Sequence, residues 1–155
     1  RLLAGRAFDL KRTDVERDIA ARGLQAHVEV VEAPSQEQLG RLLSRAQYFV
    51  SLSRHEGFGI AAIEAMSAGL IPVLGDIPPY AKLHDESKLG VLVDAQAPEA
   101  AARAVRQLAE VDEETFQARR RHALAYVARY DWDAVVARYR DEYRQALAQT
   151  GGQAQ

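Results

Sequence analysis

Two glutamates, Glu56 and Glu64, stand with seven residues between them in the stretch Ser53-Arg-His-Glu-Gly-Phe-Gly-Ile-Ala-Ala-Ile-Glu64. Paired carboxylates can trade protons beside a sugar, and that acid/base pairing is the first chemistry to weigh. The residues between them argue for something else. Gly57 and Gly59 flank Phe58, and from Ile60 a nearly all-apolar, small-residue run reaches Gly69. A glycine turn feeding a helix leaves the first amides without intrahelical partners and points the positive end of the helix dipole at whatever sits above. An anion fits there. The glycines are either plain turn residues or the means by which backbone amides approach phosphate oxygens without a Cβ in the way. Glu64, in a helix that reads as buried nearly all round, needs a partner: an arginine or amide inside the fold, or the hydroxyls of a ligand such as a ribose. Glu56 is either a solvated turn side chain or a group that orients a polyhydroxy ligand and balances positive charge developing on a sugar.

The elements that must position these residues alternate along the chain. Leu2–Ala4 reads as a strand ending in a glycine turn at Gly5. Thr13 and Glu16 form a capping-box pattern before a helix that reaches about Arg22 and stops at Gly23. A strand over 27–31 ends at Pro34, and Ser35 with Gln38 makes a second capping box before a helix carrying Leu39, Leu42, Leu43 and Ala46. Tyr48–Leu52 reads as a buried strand and leads into the glycine turn and its helix. Leu70–Gly75 is another strand, 77–80 a rigid extended or turn segment, and Leu89–Val93 a further strand. Pro98 opens a helix with Ala101, Ala104, Val105 and Leu108 on one face. Helices over 113–129 and 132–148 follow, and 150–155 is a polar tail expected to be disordered. Strand–helix alternation predicts an α/β fold, a Rossmann-like parallel sheet with helices on both faces and C-terminal helices. In such sheets ligands sit beyond the carboxyl ends of the strands.

With 155 residues, 48% of them hydrophobic, the chain is about one domain's worth, and we assign residues 1–149 to one domain. A formal net charge of −2 gives no basic field for nucleic acid. The absence of cysteine removes disulfides, thiol catalysis and cysteine-ligated zinc. No apolar run is long enough to span a membrane. The abrupt opening Arg1-Leu-Leu-Ala-Gly5 reads as a strand entered halfway, so we expect a piece of a longer protein.

The whole pattern, Ser-x-x-Glu-Gly-Phe-Gly-Ile-x-x-x-Glu-Ala-Met-x-x-Gly, closely resembles the C-terminal, donor-binding domain of retaining GT-B glycosyltransferases of family 4. The likeness extends to the helix-then-strand lead-in over 37–53, to Gly69-Leu-Ile-Pro-Val73, and to Gly90-Val-Leu-Val93 with Pro98-Glu99. About residues 36–106 are covered well. Phe58–Glu64, Ser67-Ala-Gly-Leu and Asp76-Ile-Pro-Pro-Tyr80 are most similar to mannosyltransferases that extend a lipid-diphosphate-linked oligosaccharide in bacterial exopolysaccharide assembly, from GDP-mannose. Pro78-Pro79-Tyr80 stands where many relatives have two glycines and a Pro-Glu.

The resemblance implies that Glu56 contacts the donor sugar near the reacting carbon and serves as the catalytic residue. It implies that Glu64 holds the ribose, that amides of Gly57, Phe58, Gly59 and Ile60 face sugar and diphosphate, and that His55 lines the sugar pocket. An Arg/Lys pair on the first loops serves the phosphates in relatives, and Arg6, Lys11 and Arg12 are the nearest candidates. The resemblance implies no metal or other cofactor beyond the nucleotide sugar itself, a GDP-mannose or UDP-sugar. The implied partner is an N-terminal acceptor domain of the same chain, which the 132–148 helix would touch through its apolar face. The implied location is cytoplasmic, with peripheral contact at the inner face of the membrane. The Arg119-Arg-Arg-His122 cluster is either a solvated face or part of that contact. Tyr126, Tyr130, Trp132, Tyr139 and Tyr143 read as packing residues. The competing reading is a non-catalytic sugar-nucleotide-binding module acting as a partner or regulatory subunit.

Overall fold

The computed structural model describes the backbone of residues 2–4 and 11–151, and side chains from 11 to 148. The chain divides into two compact units, Arg1–Leu42 and Leu43–Gln155.

In the first unit, β1 (Leu2–Ala4) pairs in parallel with β2 (Val28–Val30), Leu2 opposite Val28. Between them runs α1 (Arg12–Ala21). Its cap lies earlier than Thr13: the Lys11 amide donates to Asp14 Oδ2 at 3.3 Å, and Thr13 and Glu16 are inside the helix. Glu16 pairs instead with Arg12, one turn back, at 2.6 Å. At the other end Gly23 takes φ +66°, its amide reaches the Ala20 carbonyl, and Leu24 reaches that of Ile19, each at 3.0 Å. Those two bonds form the paired closure that stops a helix at a left-handed residue. The Ser35 box is present in both directions, with the Ser35 amide on Gln38 Oε1 at 2.8 Å and the Gln38 amide on Ser35 Oγ at 3.2 Å. It opens α2 (Gln36–Arg45).

The second unit holds a parallel sheet in the order β3-β4-β5, made of Tyr48–Ser51, Ile71–Gly75 and Val91–Val93. All five residues of the middle strand are buried, as expected of a strand flanked on both sides. Among the described residues β3 stands at one end of this sheet, and Val50 and Leu52 are more exposed than the buried strand expected from their sequence. β4 and β5 approach so closely at Gly90, φ +73°, that an added Cβ would lie 1.8 Å from the Pro72 carbonyl oxygen.

Two helices of this unit depart from expectation. α3 (Ile60–Ser67) is buried on one face only, through Ala62, Ala65 and Met66, while Ile60, Ala61, Glu64 and Ser67 are exposed. An apolar sequence here does not mean a helix covered all round, because alanine can sit on either face at little cost. The segment expected to be a rigid turn is the start of α4 (Pro78–Ser87), with Ile77 as its N-cap. Proline is unfavourable inside a helix but tolerated in the first turn, where its missing N–H would be unpaired anyway.

α5 (Pro98–Ala109) and α6 (Glu113–Val127) follow; Asp112 caps α6 by accepting the Thr115 amide at 2.8 Å, and hydrogen bonding by the Thr115 side chain and then by that amide holds its carboxyl below the usual range. A short 3-10 turn, Ala128–Tyr130, ends what the sequence suggested was helix to Arg129. α7 runs from Trp132 to Gly151, so residues 150 and 151 of the expected tail are its last turn, and 152–155 lie outside the described residues.

The core cluster joins α3, β4, α4 and α6 through Ala62, Met66, Leu74, Tyr80, Leu83, Leu89, Ala123, Tyr126 and Val127. Tyr126 packs here as expected. Trp132, Tyr139 and Tyr143 do not; with Val136 and Leu147 they form an exposed stripe on α7, Trp132 being 82% exposed. The spacing of four, three, four and four residues is that of one helix face. The basic cluster does not act as one surface: Arg119 Nη1 donates to the Leu108 carbonyl at 2.9 Å, Arg120 lies over Gly69, and Arg121 and His122 are exposed.

Candidate functional site

The site is built at the carboxyl ends of β3 and β4, where the chain leaves each strand for a helix. After β3 it takes the eight residues 52–59 before α3 begins; after β4 only Asp76 and Ile77 precede α4. The longer connection carries His55, Glu56, Gly57, Phe58 and Gly59. Gly59 is the N-cap of α3 at φ +85° and ψ +40°, a left-handed conformation, and it is buried. Its carbonyl accepts the amides of Ala62 at 2.9 Å and Ile63 at 3.3 Å, which starts the helix. Among the described residues, the amides of Gly57, Phe58, Gly59, Ile60 and Ala61 donate to no protein group. Five consecutive free donors at a helix N-terminus are suited to an anion with several oxygens.

Glu56 is half-buried beside these amides. Its Oε1 accepts from the Tyr80 hydroxyl at 3.1 Å, and that hydroxyl is 2.8 Å from Ser51 Oγ, which lies 3.2 Å from Ser53 Oγ. Tyr80 is fully buried. Burial is the main cause that lifts its hydroxyl above the ordinary tyrosine range; Ser51 and Ser53 oppose the shift and Glu56 adds to it.

Glu64 lies in the second turn of α3 and is exposed. The expected burial is overturned, and with it the need for an internal partner; the carboxylate is open to hydroxyls arriving from solvent. Phe58 and Ile60 are also exposed, at 55% and 64%, and the Phe58 ring meets the edge of Tyr130 at 5.6 Å between centroids. His55 is exposed and sits next to Glu56.

Of the three cations suggested for phosphate, Arg6 lies outside the described residues. Lys11 and Arg12 belong to the first unit, where Lys11 caps α1 and Arg12 pairs with Glu16, a contact that raises its pKa. Cations that sequence reasoning passed over stand in the second unit. A cavity of about 570 Å³ is lined by Gly57 and Phe58 of the turn, by Pro78 and Lys82 of α4, and by Arg129 and Arg138. Glu86 compensates them in part, 3.6 Å from Arg129 and 3.9 Å from Lys82, and accepts the Tyr126 hydroxyl at 3.0 Å. Arg129 also stacks 4.2 Å over the Tyr126 ring. Tyr80 was missed as a site residue too; its signal was the spacing of Tyr80, Leu83 and Ser87, one helix face beginning at a proline pair.

Comparison with known proteins bears on the family and the fold. Residues 4–129 match the model of the family described as glycosyl transferases group 1. The chain is 56% identical over 146 residues to a GDP-mannose:cellobiosyl-diphosphopolyprenol alpha-mannosyltransferase of Xanthomonas oryzae pv. oryzae, covering 94% of this chain and 38% of that protein. A protein of the same description from Komagataeibacter xylinus is 37% identical over 146 residues, with 94% and 37% covered. Among solved structures, sucrose-phosphate synthase from Thermosynechococcus elongatus superposes with a TM-score of 0.71 at 24% identity, over 95% of this chain and 38% of that one. A pneumococcal O-GlcNAc transferase solved with UDP and GlcNAc gives 0.69 at 17% identity, over 88% and 28%. The fold is that of one half of such GT-B enzymes. The chain spans under two-fifths of the length of the relatives it matches.

Proposed function

The chain belongs to the glycosyl transferases group 1 family, and from that premise we propose that it forms the donor-binding part of a retaining mannosyltransferase. The donor is GDP-mannose and the acceptor a lipid-linked saccharide, the substrates in the descriptions of the Xanthomonas and Komagataeibacter relatives. The observation that carries the reading is the turn after β3, five free amides beside a fixed carboxylate and within reach of a second, exposed one.

The roles follow from the chemistry of each group. Amides from Gly57 to Ala61 take the diphosphate and stabilise the charge that builds on it as the sugar leaves. Glu64 takes the ribose hydroxyls. Glu56 takes a hydroxyl of the sugar near the reacting carbon, with His55 beside it. The bond from the anomeric carbon to the phosphate oxygen breaks, the acceptor oxygen bonds that carbon on the same face, and the acceptor's proton passes to the leaving phosphate. No enzymic nucleophile and no metal enter this scheme, in which amides and nearby cations balance the diphosphate. The exposed stripe on α7 supports contact with an acceptor-binding domain of the longer protein. No helix among the described residues is long and apolar enough to cross a membrane. A lipid-linked acceptor would be met at the inner membrane face by peripheral contact, in which Arg121 and His122 are free to share.

Transfer assays with the longer protein test the reading. Mannose should pass from GDP-mannose to a lipid-diphosphate-linked saccharide, with UDP-glucose a poor donor. Equal rates from both donors would overturn the donor assignment, and no transfer from either would overturn the function.

A further inference from the structure

We propose that Tyr80 is a positioning residue for the transfer reaction, holding the Glu56 carboxylate through its hydroxyl and seating the glycine turn on its ring. The proposal rests on the role of Glu56 given above. A carboxylate only accepts hydrogen bonds, so the single proton of the Tyr80 hydroxyl goes to Glu56 Oε1 at 3.1 Å. The Ser51 hydroxyl, 2.8 Å away, then donates to Tyr80, and Ser53, 3.2 Å from Ser51, donates in turn. A line of three hydroxyls thus ends on one oxygen of Glu56. The other oxygen takes no hydrogen bond from the described residues and is left for a ligand.

The ring acts at the same place from below. Gly59 lies against it so closely that an added Cβ would stand 2.8 Å from Tyr80 Cε1. Full burial of Tyr80 among Ala62, Met66 and Leu83 gives the ring one orientation. A glutamate side chain on a glycine-rich turn would otherwise spread over several rotamers. Anchored to a core tyrosine, it keeps one, and the sugar hydroxyl it contacts is held with it. The function of the Pro78-Pro79 start of α4 is then to deliver Tyr80 to this spot: two fixed φ angles precede it.

The test uses the longer protein with Tyr80→Phe, Glu56→Ala and the double variant. Tyr80→Phe keeps the ring and removes only the hydroxyl. It should lower kcat about tenfold, while GDP, which lacks the sugar that Glu56 contacts, binds within twofold of the parent. In the Glu56→Ala background the same change should cost nothing further. Tyr80→Phe at the parental rate, or a tenfold loss that persists without Glu56, overturns the proposal. The unfolding midpoints of the same four proteins separate this failure from that of the underlying reading. Non-additive losses place the Tyr80 hydroxyl on Glu56 whatever the activity; additive losses overturn the grip even in an active enzyme. A parent that transfers no sugar overturns the reading on which the transfer role rests.

Discussion

Two helices of the second unit begin at the same edge of one sheet, and their first turns are made in opposite ways. α3 follows β3 after eight residues, begins on a left-handed glycine, and leaves five amides free at its N-terminus. α4 follows β4 after two residues and begins with Pro78 and Pro79, which have no amide hydrogens to offer. One end is open, polar and able to receive an anion. The other is short, stiff and stripped of donors. They meet through Tyr80, whose ring lies under Gly59 and whose hydroxyl bonds Glu56. The contrast teaches a division of labour: a rigid helix start serves as the template on which a glycine-built one is shaped, and only the shaped one has a run of free amides to offer an anion.

The largest effect should come from removing what the template holds. Glu56→Ala is expected to lower transfer by roughly a hundredfold or more, as loss of a preorganised polar group near the reacting centre does, with a much smaller drop in the unfolding midpoint from the acceptor lost to the buried Tyr80 hydroxyl. Parental activity in this variant would break the comparison at its functional end. Next is Gly59→Val. The left-handed backbone and the 2.8 Å clash with Tyr80 both oppose it, and together these should destabilise the chain by about 2–4 kcal/mol in denaturant unfolding. A loss that small side-chain adjustments could absorb, under about 1 kcal/mol, would mean the turn is not seated on Tyr80.

A smaller effect is expected at high pH. The Tyr80 hydroxyl is raised by burial, and that of Tyr126 is raised as well, also mainly by burial. Near pH 10 tyrosine in the unfolded chain begins to ionise while these two stay protonated. The unfolded state then holds fewer protons than the folded one, so the contribution of these two groups to stability is constant below about pH 10 and falls as pH climbs above it. Tyr80→Phe should blunt that fall, as followed by thermal melts across pH 8 to 11. The smallest effect is at Gly57, whose φ is not in the left-handed region and whose added Cβ would meet nothing within 4 Å. Gly57→Ala should shift stability by less than about 0.5 kcal/mol, which sharpens the contrast between the two glycines of one motif.

The sequence made the open end legible and the template end not. The glycines, the helix and both glutamates of the motif were readable because each is a local signal: turn chemistry, apolar spacing, and carboxylates in unexpected company. That the sheet is parallel followed from the alternation of strands with helices. What failed was burial. Glu64 among alanines and isoleucines reads as internal, yet which side of a short apolar helix is covered depends on partners far along the chain, here β4 and α6. The start of α4 failed for a different reason. Pro78-Pro79 satisfies a turn and a first helical turn equally well, and only the buried face of Tyr80, Leu83 and Ser87 decides between them. Tyr80 reaches Glu56 across 24 residues of sequence, a contact that no local pattern announces. The cations are a further case: the resemblance pointed to Arg6, Lys11 and Arg12, and folding adds Lys82, Arg129 and Arg138, which it brings to the cavity beside Phe58.

The claim that the open end of α3 grips a nucleoside diphosphate is tested most directly by calorimetric titration of GDP into the longer protein, with the parent beside Glu64→Ala. The parent should bind one GDP, and Glu64→Ala should weaken it about tenfold, the ~1.4 kcal/mol expected of lost hydrogen bonds to a carboxylate. A parent that binds no nucleoside diphosphate, or a Glu64→Ala variant that binds GDP as tightly as the parent, would contradict it.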